Sequence, residues 1–281
     1  MGNSTCLPKF EVYALKFAYK ISKYTERFIE GDPHDLDVST FYYVWLLRNS
    51  SKIFLVDTGF DANVAKERNR IFEDTPINIL KLMGFNQYDF DDVIITHLHN
   101  DHAGMLSDFP SAKFHLQDAE IKYATGRHMR SNLFRHPYDI EHIAETIKLV
   151  YADRVKFYNG DAVISPGLSV HHIGGHTMGL QVVRVHTNRG WIVLASDASH
   201  FYQNIKDIRP HPIVFNVAEM VEGYSKIIQL ADSVNHIIPG HDPLVMKIYP
   251  DTSFDLKGVS VRLDLDPIED FSLWLRDDKQ H

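Results

Sequence analysis

The sequence contains very little cysteine, since Cys6 is the one cysteine among 281 residues. A single thiol excludes a disulfide framework within the chain and a structural zinc site built from several cysteines. An apolar run of about 18 residues, the length that a membrane-spanning helix requires, is also missing. The first residues lack the basic and apolar regions of a secretory signal peptide. We therefore expect a cytoplasmic protein that does not act at a membrane.

Basic residues are also fewer than acidic residues. Lysine and arginine together number 29, against 37 aspartate and glutamate residues, which gives a formal net charge of −8. This balance argues against a broad basic surface, so we expect no nucleic-acid partner. Hydrophobic residues make up 44% of the chain and charged residues 23%, which is enough apolar material for a full core.

Histidine, by contrast, is abundant, with 17 residues. The segment 96–102 has the sequence Thr-His-Leu-His-Asn-Asp-His and directly follows the apolar run 93–95, so the pattern predicts a buried strand that ends in a metal-binding loop. Further candidate ligands occur in short motifs typical of turns: His176 in Gly-Gly-His-Thr, Asp197 in Leu-Ala-Ser-Asp, and His241 in Pro-Gly-His-Asp. Isolated histidines such as His115, His142 and His186 are interpreted as ordinary surface or core residues.

The spacing of these residues favours a first metal site. Zinc binds imidazole nitrogen and carboxylate oxygen, usually with four ligands, and a catalytic site leaves one position open for water. His97 and His99 are two positions apart, so on an extended segment their side chains point the same way and reach one ion. His176 is the natural third ligand.

The remaining candidate ligands suit a second ion. Asp101 and His102 lie further along the same loop and would reach this ion together with His241. Asp197 has two carboxylate oxygens and can therefore bridge the two sites. The ligand set thus predicts two zinc ions as cofactors.

The cluster HxHxDH, followed by a distal His, Asp and His, resembles the metallo-β-lactamase superfamily. Asp57-Thr58-Gly59, directly after an apolar strand, is similar to the short Asp-Thr-Gly element of that family. The resemblance runs from about residue 40 to about residue 245. It implies an α+β fold, a four-layer αββα sandwich with the metals at one edge. It also implies the same division of ligands: His97, His99 and His176 on the first zinc, Asp101, His102 and His241 on the second, and Asp197 between them.

Shorter motifs resemble one branch of that superfamily. The sequences around Asp197 and His176, and Ala-Thr-Gly-Arg at 124–127, are similar to those of quorum-quenching N-acyl-homoserine-lactone lactonases and of 4-pyridoxolactonase-like relatives. This resemblance implies hydrolysis of a small-molecule lactone, in which a metal-bound hydroxide opens the ring, by a monomer or homodimer. Asp101 would orient the hydroxide or pass a proton to the leaving group. Thioesters, phosphodiesters and cyclic amides stay open as alternative substrates of the same fold.

One position departs from the branch, because lactonases of this kind typically carry a tyrosine three residues after the bridging aspartate. Here that residue is His200, a second candidate catalytic residue, which can donate a hydrogen bond or carry a proton near neutral pH. Tyr202 and Tyr43 are alternatives for the same role. The departure favours a smaller polar or aromatic lactone as an alternative to an acyl-homoserine lactone.

A segment near the predicted site carries several basic residues. Residues 117–150 are interpreted as a helical insertion in a single domain that spans 1–281, because candidate ligands come from both halves of the chain. Arg127 and Arg130 in this segment, and Arg184 outside it, are candidates to pair with a substrate carboxylate.

Hydrophobic periodicity gives the remaining elements. Apolar residues at helical spacing predict helices over 139–150 and over 217–228, the second with a core-facing stripe, and a partly helical stretch over 61–84 that ends at Gly84. Short apolar runs predict strands at 42–47, 52–56, 93–96, 113–116, 168–173, 180–185, 191–194 and 236–238. This order favours two sheets flanked by helices.

Overall fold

The structure, a computed structural model, describes residues 7–31 and 34–268; Cys6 lies outside them. Its strands are, in chain order, β1 (Glu11–Lys23), β2 (Asp37–Arg48), β3 (Ile53–Val56), β4 (Ile71–Phe72), β5 (Asp92–Ile94), β6 (Lys113–Gln117), β7 (Val155–Tyr158), β8 (Ala162–Ser165), β9 (Leu168–His172), β10 (Gln181–Thr187), β11 (Gly190–Ser196), β12 (Ile237–Pro239) and β13 (Ser260–Arg262).

Helices connect and cover these strands. The α-helices are α1 (Ala62–Glu67), α2 (Pro76–Leu82), α3 (Asp118–Ala124), α4 (Asn132–Arg135), α5 (Ile140–Tyr151), α6 (Tyr202–Asp207), α7 (Val217–Leu230) and α8 (Leu244–Ile248). Short 3₁₀ helices occupy Tyr24–Glu26, Leu106–Asp108, Arg127–Arg130, Val234–His236 and Phe254–Leu256. Among the described residues, no helix is both long and apolar enough to cross a membrane.

The strands form two sheets. The first has the order β13-β1-β2-β3-β5-β6-β7, with β4 paired to β1, and the second has the order β12-β11-β10-β9-β8. The neighbours β3, β5 and β6 run parallel, as do β11 and β12. Strand β9 pairs antiparallel with β10, which pairs antiparallel with β11. Strands β9, β11 and β12 therefore all end at one edge of the second sheet.

Each sheet has apolar side chains on both faces. In β1, Val12 and Ala14 pack between the two sheets, whereas Tyr13 and Leu15 belong to the core between the first sheet and its helices. A third core lies on the outer face of the second sheet, where α7 contributes Ile227. The layers are therefore helix, sheet, sheet and helix, which confirms the α+β, four-layer αββα prediction.

Several local predictions agree with the observed elements. The helix expected over 139–150 is α5, and the stretch 61–84 contains α1 and α2, after which Gly84 adopts a positive φ of 87°. The core-facing stripe of α7 is shorter than expected, because Val217 and Ile228 at its ends are 47% and 44% exposed. Residues 117–150 are largely helical; their status as an insertion, and a single domain over 1–281, stay predictions.

Candidate metal centre and active site

The candidate ligands lie at the ends of four strands that meet at one edge of the sandwich. The loop 97–102 follows β5, and the other three ligand motifs follow β9, β11 and β12. Ser196, the last residue of β11, has a positive φ of 45°, which turns the chain so that Asp197 enters the site. The five candidate ligand histidines and Asp197 are at most 4% exposed.

Asp197 stands between two groups of imidazoles. Its Oδ2 atom lies 3.1 Å from His176 Nε2 and 3.7 Å from His97 Nε2. Its Oδ1 atom lies 3.1 Å from His102 Nε2 and 2.9 Å from His241 Nε2. Each carboxylate oxygen therefore faces one of the two ligand groups that the sequence predicts.

The remaining two candidate ligands complete these groups. His99 Nδ1 lies 3.0 Å from His176 Nε2. The Asp101 carboxylate oxygens lie 4.0 Å from His102 Nε2 and 4.0 Å from His241 Nε2. Two groups of residues could each hold an ion, because within each group the ligand atoms lie within 4.8 Å of one another. These groups are His97, His99, His176 and Asp197, and Asp101, His102 and His241. That these residues bind metal stays a prediction.

The hydrogen bonds of the ring nitrogens fit a metal site. Three Nδ1 atoms lie close to an acceptor outside the ligand set: His102 to Asp57 Oδ2 at 2.7 Å, His176 to Ile213 O at 2.7 Å, and His241 to Phe41 O at 2.8 Å. These bonds leave the Nε2 lone pairs directed at Asp197. His97 Nε2 and His102 Nε2 are buried without a hydrogen-bond partner among the described residues, an arrangement that is costly unless a cation binds there.

Burial and charge set the protonation of the site. Burial lowers the pKa of His97 and His99 well below the ordinary value of histidine, so both rings are neutral, as metal ligands must be. Burial alone would raise the pKa of Asp101, but Arg70 above all, with His102 and His241, holds it below its ordinary value. The Asp101 carboxylate is therefore ionised.

Comparison with known proteins agrees with this geometry. The family model of the metallo-beta-lactamase superfamily matches residues 39–252. The chain belongs to the metallo-beta-lactamase superfamily. An N-acyl homoserine lactonase from Bacillus sp. is 30% identical over 197 residues, which cover 64% of this chain and 71% of the relative. An N-acyl homoserine lactonase from Bacillus cereus is 28% identical over 184 residues, which cover 60% and 68%.

The fold is also similar to that of a solved structure. The crystal structure of a quorum-quenching N-acyl homoserine lactone lactonase superposes with a TM-score of 0.71 at 23% identity, covering 85% of this chain and 94% of that chain. The resemblance found in the sequence is thereby confirmed, as is the expectation of an enzyme of the metal-dependent hydrolase class that this superfamily contains.

The superfamily's Asp-Thr-Gly element supports the ligand loop. Asp57 is fully buried, and its two carboxylate oxygens accept hydrogen bonds from the Thr96 N–H at 2.7 Å and the Thr96 hydroxyl at 2.8 Å. The same carboxylate lies against His102 Nδ1. Gly104 N–H donates to Gly59 O, and a Cβ on Gly104 would lie only 2.6 Å from that oxygen. The element therefore fixes both the ring orientation of His102 and the path of the loop.

Glu120, on α3, is a supporting residue that the sequence pattern did not predict. It is fully buried, and its Oε1 accepts from the Leu98 N–H at 2.9 Å and the Tyr138 hydroxyl at 3.0 Å. Its Oε2 accepts from the Thr177 hydroxyl at 2.6 Å and the Gly179 N–H at 3.0 Å. One carboxylate thus joins the loop that carries His97 and His99 to the loop that carries His176. A lone glutamate in a helix gives no local signal for this role.

The three candidates for the position of the lactonase tyrosine, His200, Tyr43 and Tyr202, lie in two different parts of the structure. His200 lines the cavity at the candidate metal centre, with its Nε2 3.1 Å from Asp197 Oδ2. Tyr43 and Tyr202 instead pack in the core between the sheets, and the Tyr43 hydroxyl donates to Asp242 O at 2.9 Å. Neither tyrosine lines the cavity, so the structure leaves His200 as the candidate.

The predicted substrate-binding arginines do not lie at the site. Arg127 and Arg130 are exposed, and Arg184 stacks 3.8 Å from the Trp191 ring centroid and donates to the Leu230 carbonyl. None of the three lines the cavity, because they stand on the outer surface of their elements. Three other arginines line it instead: Arg27, Arg68 and Arg70.

Proposed function

We propose that this chain is a dinuclear zinc hydrolase that opens a lactone ring. The observation that carries the proposal is the position of Asp197, whose two carboxylate oxygens each face a separate group of buried imidazoles. The names of the lactonase relatives support the choice of reaction. The cytoplasmic location and the monomer or homodimer state stay predictions.

The donor set fits two zinc ions. His97, His99 and His176 would hold one, Asp101, His102 and His241 the other, and Asp197 both. When bound, the ions lower the pKa of a water molecule toward neutrality and polarise the substrate carbonyl.

Asp101 is the residue placed to move protons. Its side chain is 12% exposed and lines the cavity, and Arg70 keeps it ionised. We propose that it orients the attacking water and accepts a proton from it as the new C–O bond forms. The same carboxyl then gives this proton to the ring oxygen as the ester C–O bond breaks, which yields an alcohol and a carboxylic acid. The acid carries the second proton of the water and releases it to solvent to become a carboxylate.

His200 would position the substrate as a neutral ring. Burial lowers its pKa to about 4, so it is uncharged at neutral pH. With its proton on Nε2 toward Asp197, Nδ1 is an acceptor, and this atom is buried without a partner among the described residues. We propose that Nδ1 accepts a hydrogen bond from a donor on the substrate. A tyrosine hydroxyl at this position would more readily donate, which is a reason for a substrate that differs from those of the named relatives.

The test is a pH-indicator assay of the zinc-loaded protein against a lactone panel. The panel contains acyl-homoserine lactones of several chain lengths, simple alkyl lactones and aromatic lactones, and a His176→Ala variant serves as the metal-deficient control. Turnover confined to one group identifies the substrate class. Absence of turnover in protein with two bound zinc ions contradicts the lactonase proposal and directs the assay to thioesters, phosphodiesters and cyclic amides.

A further inference from the structure

Three arginines line the cavity at the candidate metal centre: Arg27, Arg68 and Arg70. Two of these are held by the protein. Arg68 donates to the His136 and Tyr138 carbonyl groups at 2.9 and 3.1 Å. Arg70 donates to Asn100 Oδ1 at 2.7 Å and lies 3.7 Å from Asp101 Oδ2. The guanidinium groups of Arg68 and Arg70 are therefore engaged by protein groups in the cavity wall.

Arg27 is differently placed. Its Nε donates to Ser22 Oγ at 2.8 Å, and the part of the chain that the structure describes offers it no ion pair. Arg27 lines the cavity, and among the described residues its two terminal nitrogens make no hydrogen bond, so both remain available as donors to a ligand. Lys20 lies nearby, and its pKa is lowered by burial and then by the charge of Arg27. A carboxylate that neutralised Arg27 would relieve this repulsion.

The segment that carries Arg27 is fixed beside the cavity. Tyr24 and Phe28 stack with ring centroids 4.2 Å apart, and the Arg209 guanidinium lies 5.6 and 5.5 Å from their centroids. Arg209 also donates to the Gly31 carbonyl, and Ile29 N–H donates to Pro210 O at 2.9 Å. These contacts tie residues 24–31 to the chain directly before His211.

His211 presents a second donor to the same cavity. It is 1% exposed, and its Nδ1 accepts a hydrogen bond from the Ile213 N–H at 3.1 Å. The single ring proton is therefore on Nε2, which has no partner among residues 7–31 and 34–268. The ring stacks on His200, with centroids 3.8 Å apart and planes 7° from parallel. A buried N–H without an acceptor is costly unless a ligand supplies one.

We propose that Arg27 and His211 form an anion-binding subsite, and that the substrate is a compact lactone that carries a separate carboxylate group. The guanidinium would supply charge and paired donors, and the imidazole a neutral donor with a fixed proton. The cavity measures about 80 Å³, which suits a small ring acid. An N-acyl homoserine lactone has no such carboxylate. The lactone part of this proposal rests on the proposed function; the subsite does not.

Binding of unreactive ring acids tests the subsite directly. Tetrahydrofuran-2-carboxylate and its neutral carboxamide both lack a lactone carbonyl, so calorimetric titration measures recognition without turnover. We expect the carboxylate to bind about tenfold more tightly than the carboxamide, as one charge-assisted pair supplies. Both titrations are repeated on metal-free protein, which separates the subsite from binding to zinc. Equal binding of the two ligands would overturn the proposal.

Matched variants assign the effect to residues. Arg27→Met should abolish the preference for the carboxylate, and His211→Phe, which keeps the stack on His200, should weaken it. Arg127→Met is the control, since Arg127 is exposed and does not line the cavity. Circular dichroism and zinc content show whether each variant is folded. A folded Arg27→Met protein that retains the preference contradicts the assignment.

Kinetics separate this inference from the proposed function. With 5-oxotetrahydrofuran-2-carboxylate and γ-butyrolactone as substrates, Arg27→Met should raise KM for the acid about tenfold more than KM for the neutral lactone, with the effect in KM rather than in kcat. Hydrolysis of both lactones without a charge preference would refute the subsite and leave the lactonase proposal intact. Absence of all lactone hydrolysis, with the carboxylate preference present in titration, would refute the lactonase proposal alone.

Discussion

Substitution of Glu120 by glutamine is the sharpest test of how the candidate site is held. The carboxylate accepts four hydrogen bonds, two at each oxygen, and two of the donors are backbone N–H groups, those of Leu98 and Gly179. In Glu120→Gln, one oxygen becomes an NH₂ group. The hydroxyls of Tyr138 and Thr177 can rotate to accept from it. A backbone N–H cannot, so in either orientation of the amide one backbone donor faces another donor.

The cost follows from these bonds. A buried backbone N–H without an acceptor costs about 1–3 kcal/mol, and the remaining bonds lose the strength that a charged acceptor gives. Burial raises the pKa of Glu120, which means that removal of the charge recovers part of this loss. We therefore expect the free energy of unfolding to fall by about 3 kcal/mol. At about 2 °C per kcal/mol for a large domain, Tm should fall by about 6 °C.

The ligand loops should also become less well positioned. Leu98 lies between His97 and His99, and Gly179 closely follows His176, so loss of either bond loosens the first ligand group. We expect zinc affinity to fall about tenfold or more, as for other groups that orient metal ligands. Thermal unfolding and zinc titration against a chelator measure the two effects.

Glu145→Gln is the matched control. Glu145 lies on α5 and pairs with Lys148, which is 74% exposed, at 3.3 Å; loss of such a surface pair changes stability by less than about 1 kcal/mol. If Glu120→Gln behaves like this control in both Tm and zinc affinity, the carboxylate does not hold the two loops together.

Three further results are expected. His97→Ala and His102→Ala should each lower the bound metal from two ions to one and remove most activity, as metal analysis and the lactone assay will show; full metal content in either variant contradicts the ligand assignment. His200→Ala should lower kcat far more than zinc content, and an unchanged rate would leave His200 without a role. Removal of metal by a chelator should lower Tm, and zinc at about 100 times its Kd should raise the free energy of unfolding by about 2.7 kcal/mol. A Tm that does not change with zinc concentration argues against a zinc site in the folded state.

The sequence predicted the fold where its signals are local. The strand before the ligand loop, the helix α5 and the stop at Gly84 each have a clear apolar period or a terminating residue. The long strand β1 was not predicted. Both of its faces are buried, so apolar residues do not alternate, and the bulge between Lys16 and Ala18 shifts the register within it. Tertiary packing on both faces hides the period of two on which strand prediction depends.

The same contrast holds at the site. The candidate ligands were predicted because six positions of one loop carry four of them, and the distal ones stand in short turn motifs. Glu120, Arg27 and His211 come from separate elements and meet the site through folding alone, so no spacing in the sequence relates them to it. Arg127 and Arg130 were predicted because residues 117–150 were interpreted as a helical insertion near the site, and in the structure both side chains are exposed.

The two sheets contribute to the metal centre separately, and this has a consequence for the lifetime of the folded state. The loop after β5 belongs to the first sheet, whereas His176, Asp197 and His241 follow strands of the second. A cation held by both groups acts as a cross-link that closes the chain between distant points. Its loss should let the halves of the sandwich part more often, so metal content would govern resistance to proteolysis as well as turnover.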